Sequence, residues 1–171
     1  MVVWIIGLSG TGKSTLAVEV VRLVRDRQPN VVLVDGDAIR TVFGDDLGHT
    51  LEDRRRNAER ICRLCQFFDE QGIHVVCAIL SLFPETREWN RRHLDHYYEV
   101  FVDTPIDELI ARDPKGLYAR FQRGETRDVA GMDLEFPRPD SADLVIANTG
   151  SREQLLAHAR QIAEQVSGLD Q

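Results

Sequence analysis

The stretch G-L-S-G-T-G-K-S-T at residues 7–15 fits the sequence pattern G-x-x-x-x-G-K-[ST]. It follows the apolar run Val2–Ile6, which is typical of a buried strand, and precedes apolar residues with helical spacing over 15–27. Matches to this pattern are common by chance, but matches that lie between a strand and a helix are not. We therefore predict a phosphate-binding loop rather than a glycine-rich turn without a ligand.

This loop predicts how the phosphates of a nucleotide would be bound. Its glycines let the backbone curl so that several N–H groups point at a phosphate chain, and the following helix N-terminus adds partial positive charge. Lys13 is predicted to contact the β- and γ-phosphates during catalysis, and the Ser14 hydroxyl to bind Mg²⁺, so ATP and Mg²⁺ are expected cofactors. The predicted ATP-binding residues of the loop are Gly7, Ser9, Gly10, Thr11, Gly12, Lys13, Ser14 and Thr15.

Length, charge and composition exclude several classes of protein. With 171 residues, the chain is predicted to form one domain over residues 1–171. Its net charge of −7 argues against binding of a nucleic-acid polymer, and no apolar run approaches the ~20 residues of a membrane span. Residue 1 leads directly into the first strand, which leaves no room for a signal peptide, and three cysteines suggest a reducing compartment. We therefore expect a cytoplasmic protein that binds no membrane.

Four further apolar runs predict strands, at residues 31–34, 74–80, 97–102 and 143–148. Their lack of polar alternation indicates burial on both faces, as in a parallel sheet covered by helices. The predicted helices lie at residues 15–27, 52–71, 86–96, 106–112 and 152–166, with a predicted loop at 41–50. The predicted fold class is therefore α/β, with a mostly parallel five-stranded sheet and helices on both faces.

Two carboxylates follow the second predicted strand, at Asp35 and Asp37. The carboxyl ends of parallel strands meet at the ligand-binding edge of a sheet, so both are expected near the γ-phosphate. One would orient the Mg²⁺ shell and the other would accept a proton from a substrate hydroxyl, and the sequence does not decide which. The alternative is that the pair only caps a turn. Beside the phosphate-binding loop, the pair favours a small P-loop kinase with Lys13, Asp35 and Asp37 as catalytic residues.

Basic residues further along the chain predict an anion site and a lid. Arg40, Arg54 and Asn57 are suited to bind an anionic group through guanidinium and amide hydrogen bonds, with idle surface residues as the alternative. Residues 112–140 combine arginines and glycines with little periodicity, which is typical of a basic lid that closes over a phosphate site. An ordinary surface excursion is the alternative for this segment.

Several motifs of the chain resemble those of one kinase family. They are G-L-S-G-x-G-K-S-T at residues 7–15, D-G-D-x-x-R at 35–40, D-L-G at 46–48, D-R-x-x-N-x-x-R at 53–60, F-V-D-T-P at 101–105 and A-R-D-P-K-G-L-Y at 111–118. They resemble the adenylylsulfate (APS) kinases, which pass phosphate from ATP to the 3′-hydroxyl of adenosine 5′-phosphosulfate. The resemblance covers nearly the whole chain and implies a phosphotransferase with an alcohol group as acceptor.

The resemblance implies roles for particular residues. Asp35 and Asp37 would serve catalysis and Mg²⁺ binding, with Ser14 and Asp35 as the candidate metal-binding residues, and Lys115 and Arg112 would belong to the lid. Lys115 is one of only two lysines beside 19 arginines, which agrees with a role that needs a compact charge. The residues implied for ATP binding outside the loop are Arg112 and Thr149. The residues implied for substrate binding are Asp37, Arg40, His49, Arg54, Asn57, Ser81, Phe83, Lys115, Gly116, Leu117 and Val129.

Two departures from the family pattern concern the base of the substrate. The family has a phenylalanine where this chain has His49, and its lid motif N-F-T-G-[IV]-D is D-V-A-G-M-D at residues 128–133, so a second phenylalanine becomes Val129. In the family these two rings stack on either side of the substrate adenine, and each such contact contributes roughly 1–3 kcal/mol. The predicted acceptor is therefore a 5′-nucleotide-type substrate. It is either APS or cytidine diphosphoramidate, on which another branch of the family acts.

Two other functions stay open at the level of the sequence. One is a non-catalytic nucleotide-binding regulatory protein, although Lys13, Ser14, Asp35 and Asp37 are all intact. The other is a gluconate- or shikimate-type kinase, which would share the loop and the carboxylate pair but lacks the D-P-K-G-L-Y stretch at residues 113–118. Family members are often dimers, so a homodimer is one expected oligomeric state, without an interface that the sequence identifies.

Overall fold

The computed structural model describes residues 1–168, so the last three positions of the predicted domain, 169–171, lie outside the described residues. In chain order the elements are β1 (Val2–Ile6), α1 (Lys13–Arg25), β2 (Val31–Asp35), α2 (Gly36–Val42), α3 (Leu51–Glu70), β3 (His74–Ile79), α4 (Pro84–His93), β4 (Tyr97–Asp103), α5 (Ile106–Arg112), α6 (Leu117–Gln122), β5 (Leu144–Ala147) and α7 (Arg152–Ser167). Over the described range, no helix combines the length and apolar character needed to cross a membrane.

The strands form one parallel sheet in the order β2-β3-β1-β4-β5. The central strand β1 pairs with both β3 and β4, and each of its five residues is buried. The predicted five-stranded, mostly parallel sheet is therefore confirmed. Because all its strands point the same way, the loops that follow β1, β2, β3 and β4 emerge at one edge, where ligand sites of such sheets lie.

Helices cover both faces of the sheet, as the unbroken apolar strands predict. On one face, α1 and α7 pack through buried side chains such as Leu16, Val20 and Ile162. On the other face, α3 packs through Ile61 into an apolar cluster that includes Trp4 of β1. The two apolar layers hold the sheet between them and fix the loops at its carboxyl edge.

The short helix α2 is not predicted by the sequence periodicity, and its last two residues fall in the loop predicted at 41–50. Its start depends on one side chain, because the Asp35 carboxylate accepts hydrogen bonds from the backbone N–H groups of Asp37 and Ala38. Such a cap stabilises a helix N-terminus. A helix of only seven residues is too short to show a periodic apolar stripe.

The predicted lid, residues 112–140, also contains a helix that the periodicity does not predict. The six-residue helix α6 begins after Gly116, which has a φ of 63°. The Asp113 carboxylate accepts hydrogen bonds from the backbone N–H groups of Tyr118 and Ala119 at 3.2 and 2.9 Å. The start of this segment is therefore a short helix capped by one carboxylate, and the role of residues 112–140 as a lid stays a prediction.

Candidate active site

The predicted phosphate-binding loop lies at the carboxyl edge of the sheet, between β1 and α1. Gly7 begins the loop at a position where only glycine fits, since its φ is 152° and a Cβ would lie 2.5 Å from the backbone carbonyl oxygen of Val102. Lys13, the first residue of α1, donates from Nζ to the carbonyl oxygen of Leu8 at 2.6 Å. The loop therefore folds around the ammonium group, beside the N–H groups of the α1 N-terminus.

Ser14 and Asp35, the two predicted magnesium-binding residues, are in direct contact. The Ser14 hydroxyl donates to Asp35 Oδ2 at 2.8 Å, while Asp35 Oδ1 accepts from the backbone N–H groups of Asp37 and Ala38 at 3.0 and 3.3 Å. A hydroxyl and a carboxylate are hard oxygen donors of the kind that Mg²⁺ prefers. Within residues 1–168 no cluster of three or more His, Cys, Asp or Glu could hold a metal ion. A Mg²⁺ ion at this pair would take its remaining oxygens from phosphate and water.

Asp37 lies in a different environment from Asp35. Its side chain is 77% exposed, and Lys115 Nζ of the predicted lid lies 3.5 Å from its Oδ2. Because both side chains are well solvated, this ion pair contributes little to stability. The contact does bring the lid lysine beside the carboxylate, which joins two predicted site residues from distant parts of the chain.

The pKa of Lys13 is lowered from 10.5 to about 8. The main cause is loss of hydration around its ammonium group, and the positive charge of Lys115 adds to it, while Asp37 and Asp35 act in the opposite direction. Phosphate groups beside Lys13 would raise the pKa again, because a neighbouring negative charge favours the charged amine. The protonation of Lys13 is therefore coupled to the binding of an anion in the loop.

These residues line an open cleft of about 680 Å³ between the phosphate-binding loop and the predicted lid. Its volume is within the range of small-molecule binding sites. The predicted site residues that line it are Ser9, Gly10, Gly12, Lys13, Ser14, Thr15, Asp35, Asp37, His49, Arg54, Lys115, Leu117 and Val129. The structure therefore brings most of the residues predicted to bind ATP or the acceptor into one site.

A second cavity of about 90 Å³ adjoins the cleft and shares Asp37, His49 and Arg54 with it. The other predicted residues that line it are Arg40, Asn57, Ser81 and Phe83. Asn57 is only 3% exposed, and its Nδ2 donates to the carbonyl oxygen of Gly36 at 3.2 Å. Its Oδ1 has no hydrogen-bond partner in the described part of the chain. Asn57 Oδ1 is therefore a buried acceptor without a partner among the described residues, on a residue that lines the cavity.

Arg40 and Arg54, predicted to bind an anion, also donate to backbone carbonyl groups. Arg40 donates to Gly48 at 2.6 Å, whereas Arg54 donates from Nε to His49 at 2.7 Å and from a terminal nitrogen to Asp128 at 3.0 Å. Partial burial, and to a lesser extent the charge of Arg40, lower the pKa of Arg54. The two arginines therefore hold the loop before α3 and tie it to the predicted lid, besides carrying positive charge into the site.

Five predicted residues line neither the cleft nor the adjoining cavity: Gly7, Thr11, Arg112, Gly116 and Thr149. Thr11 is buried, and its hydroxyl donates to the carbonyl oxygen of Leu8 at 3.0 Å, so it shapes the loop. Arg112 donates to the carboxylate of Glu108 at 2.7 Å, and Thr149 is exposed. Contacts of these five residues with ATP or with the acceptor stay predictions.

Two arginines of the predicted lid, Arg120 and Arg127, line the cleft although the sequence did not mark them as binding residues. The sequence signal for them was only the basic character of residues 112–140. Arg123 belongs to the same segment but pairs with Glu125 at 2.6 Å and does not line the cleft. Arg120 lies in the short helix α6, and Arg123 and Arg127 follow it. Since this stretch has no periodic stripe, the sequence cannot tell which of the three arginines faces the site.

Comparison with known proteins identifies the family. The family model of the adenylylsulphate kinases matches residues 1–147. The chain belongs to the adenylylsulfate kinase family. It is therefore a nucleotide-binding phosphotransferase, as the motifs predict, and the non-catalytic protein and the gluconate- or shikimate-type kinase are set aside.

Similar proteins in this family are named for different substrates or activities. Adenylyl-sulfate kinase of Paraburkholderia xenovorans is 39% identical over 164 residues, which span 92% of this chain and 91% of that enzyme. Cytidine diphosphoramidate kinase of Campylobacter jejuni is 34% identical over 151 residues, which span 86% of each chain. The bifunctional enzyme NodQ of Azospirillum brasilense is 38% identical over 172 residues, but the match spans only 28% of that enzyme.

A solved structure in the family is closely similar to this chain. The APS kinase of Mycobacterium tuberculosis, in complex with AMPPNP and APS, aligns with a TM-score of 0.86 and 32% identity, covering 97% of this chain and 96% of that one. Identities of similar size to enzymes named for different acceptors do not separate those acceptors, so the choice depends on the residues of the site.

Proposed function

We propose that the chain transfers the γ-phosphate of ATP to the sugar 3′-hydroxyl of a 5′-nucleotide-type acceptor. The observation that carries this proposal is the position of Asp37, which lines both the cleft and the adjoining cavity. With the phosphates of ATP at Lys13 and Ser14 and the acceptor in the adjoining cavity, the Asp37 carboxylate lies where the two substrates meet.

Asp37 is the proposed general base, and Asp35 is the proposed magnesium-binding residue. Both carboxylate oxygens of Asp35 are engaged, by the Ser14 hydroxyl and by backbone N–H groups. The Asp37 carboxylate is exposed beside Lys115 and has lone pairs available for the proton of a substrate hydroxyl. This difference between the two carboxylates supports the assignment that the sequence left open.

Positive charge for the transferred phosphoryl group comes from both sides of the cleft. Ser14 and Asp35 would hold Mg²⁺, which when bound neutralises charge on the phosphates. Lys13 supplies an ammonium group from the loop, and Arg120 and Arg127 supply guanidinium groups from the lid. Preorganised cations of this kind stabilise the charge that develops during phosphoryl transfer. Residues 112–140 are therefore proposed to close over the two substrates.

The adjoining cavity offers groups for the sugar and the 5′ anionic end of the acceptor. Asn57 Oδ1 is a buried acceptor for a hydroxyl or amino group. Arg40 and Arg54 carry the positive charge that a 5′ anion needs, each with N–H donors beyond those used for backbone carbonyls. This pairing suits a nucleotide with a diphosphate-type 5′ group.

For the base of the acceptor, we propose a cytidine-type compound such as cytidine diphosphoramidate in preference to APS. Val129 is 3% exposed and packs against Leu109 and Tyr118, so it offers no ring where the family pattern has phenylalanine. A pyrimidine needs less stacking surface than adenine, and the Campylobacter jejuni relative is named for such a substrate. APS is the second candidate, because His49 is an exposed ring in both cavities and the similar solved structure holds APS.

The experiment that tests this proposal is an ADP-release assay with Mg-ATP and a panel of acceptors: APS, CDP, cytidine diphosphoramidate, CMP and AMP. Cytidine diphosphoramidate is expected to exceed APS in kcat/KM by about a hundredfold, the effect of two lost stacking contacts. His49→Phe is expected to raise kcat/KM for APS about fivefold and to change that for the cytidine compound less. Efficient turnover of APS would favour the second candidate, and a panel without acceptor-dependent ADP release would contradict the proposal.

The pKa of Lys13 predicts a pH dependence of ATP capture. Since that pKa is lowered to about 8 in the free protein, kcat/KM for ATP is expected to be level below about pH 7 and to fall above about pH 8 as the ammonium loses its proton. The profile of kcat reports the nucleotide-bound protein, so its decline is expected at higher pH because the phosphates raise the pKa of Lys13. A kcat/KM profile that stays level to about pH 10 would contradict this prediction.

A further inference from the structure

Glu99 is a buried carboxylate that the proposed reaction does not use. It lies in β4, and its side chain is 2% exposed. Its partners are the Tyr97 hydroxyl, which donates to Oε2 at 2.7 Å, and two arginines of α4, with Arg87 Nε 3.9 Å from Oε1 and Arg91 3.6 Å from Oε2. Burial of a carboxylate is costly unless it is paired. We therefore expect the buried charged cluster around Glu99 to have a specific role.

Arg87 connects this cluster to the acceptor cavity. Its side chain is 9% exposed, and while one nitrogen faces Glu99, another donates to the carbonyl oxygen of Ser81 at 3.2 Å. Ser81 lies two residues after the end of β3, and it lines that cavity. The guanidinium therefore bridges a buried carboxylate in β4 and the backbone of the proposed acceptor site.

The backbone of Ser81 needs such support. Its φ is 56°, a conformation that a residue other than glycine rarely adopts. Two donors from separate elements hold it, since Arg87 binds its carbonyl oxygen and Trp4 Nε1 of β1 lies 3.4 Å from its Oγ. The strained conformation at Ser81 sets the direction of the chain into Leu82 and Phe83, which line the same cavity.

Phe83 is an aromatic residue of the cavity wall, and the course of the backbone after Ser81 brings it there. It is 8% exposed, and the Arg55 guanidinium lies over its ring at 4.3 Å from the centroid. Arg55 is in turn paired with Glu85 of α4. The ring is therefore braced by Arg55 on one face, while its backbone depends on Ser81.

We infer that Arg87 and Glu99 are positioning residues for the acceptor: Glu99 orients Arg87, and Arg87 holds Ser81 so that the wall formed by Ser81 and Phe83 keeps its shape. This inference rests on the proposed function, because it assigns the adjoining cavity to the acceptor. Neither side chain lines the cleft or the cavity, so both act through the backbone of Ser81.

Arg91 provides a matched control for Arg87. It lies one helical turn further along α4 and also pairs with Glu99, at 3.6 Å. Its guanidinium also lies over the Tyr97 ring, 5.1 Å from the centroid. Its remaining polar contacts lead away from the cavity, since it donates to the carbonyl oxygen of Ser141 at 2.6 Å and lies 3.5 Å from Asp143. Removal of Arg91 therefore perturbs the same carboxylate without removing a contact to Ser81.

The test compares Arg87→Gln, Arg91→Gln and wild type in steady-state kinetics with ATP and the best acceptor of the panel. Arg87→Gln is expected to raise the KM of the acceptor about tenfold, the low end for loss of a charge-assisted hydrogen bond. The KM of ATP is expected to stay within about twofold, and Arg91→Gln is expected to leave both values within about twofold. Equal effects on both substrates, or equal effects of both variants, would overturn the inference.

Glu99→Gln covers the case in which Arg87→Gln does not fold, which thermal unfolding followed by circular dichroism would reveal. The glutamine has nearly the same shape, so Arg87 loses its orienting charge but keeps its contact with Ser81. The KM of the acceptor is expected to rise about threefold, with that of ATP unchanged. An unchanged acceptor KM in Glu99→Gln would overturn the inference. Absence of acceptor turnover in wild type would instead show that the proposed function itself has failed.

Discussion

Replacement of Lys13 by methionine is expected to lower kcat/KM for ATP about 10³-fold. Methionine keeps a long unbranched side chain within the loop but removes the ammonium group and its hydrogen bond to Leu8. Loss of one preorganised group that stabilises the transition state costs about 10²–10³ in rate, and loss of a cation at a transferred phosphoryl group costs about 10³–10⁵. The measurement is ADP release at saturating acceptor over a range of ATP concentrations.

Arg160→Met is the matched control for this variant, because it removes the same charge from an exposed position on α7 that lines neither cavity. Its kcat/KM is expected to stay within about twofold of wild type. A loss of less than about tenfold in Lys13→Met, or a similar loss in both variants, would show that another group carries the main positive charge.

Asp37→Asn is expected to lower kcat by about 10²–10⁴, the range for loss of a general base. The substitution keeps the shape of the side chain, and the KM of ATP is expected to change little because the phosphates are assigned to Lys13 and Ser14. Asp45→Asn is the control, since Asp45 follows in the chain but lines neither cavity and contacts Thr41 instead. Both variants are compared at saturating ATP and acceptor.

Asp35→Asn separates the roles of the two carboxylates. Because Asp35→Asn removes a charged Mg²⁺ donor, it is expected to raise the Mg²⁺ concentration that gives half-maximal activity. Asp37→Asn is expected to leave that concentration unchanged. If instead Asp35→Asn lowers kcat without a change in Mg²⁺ dependence, and Asp37→Asn raises the Mg²⁺ requirement, the two assignments are exchanged. The contact between Ser14 and Asp35 at 2.8 Å makes that exchange the less expected result.

The two lysines illustrate how far the sequence predicts the site. Lys13 and its loop follow from a nine-residue pattern set between a strand and a helix, and the structure has that arrangement. Lys115 follows from its rarity and from a resemblance to one family, and the structure brings it 3.5 Å from Asp37. Its neighbours Arg120 and Arg127 could not be separated from Arg123, because Arg120 lies in the short helix α6 and the other two follow it in a stretch without periodicity.

The sequence by itself determined the five-stranded parallel sheet, the helices on both faces, the phosphate-binding loop and the carboxylate pair. Each of these depends on apolar runs, on periodicity or on a motif of adjacent residues, all of which are local properties of the chain. Only the tertiary structure decided that Arg54 reaches Asp128, that Asn57 keeps a buried oxygen without a partner among residues 1–168, and that Glu99 meets Arg87 behind Ser81. These features depend on packing between segments far apart in the chain, which no local pattern reports.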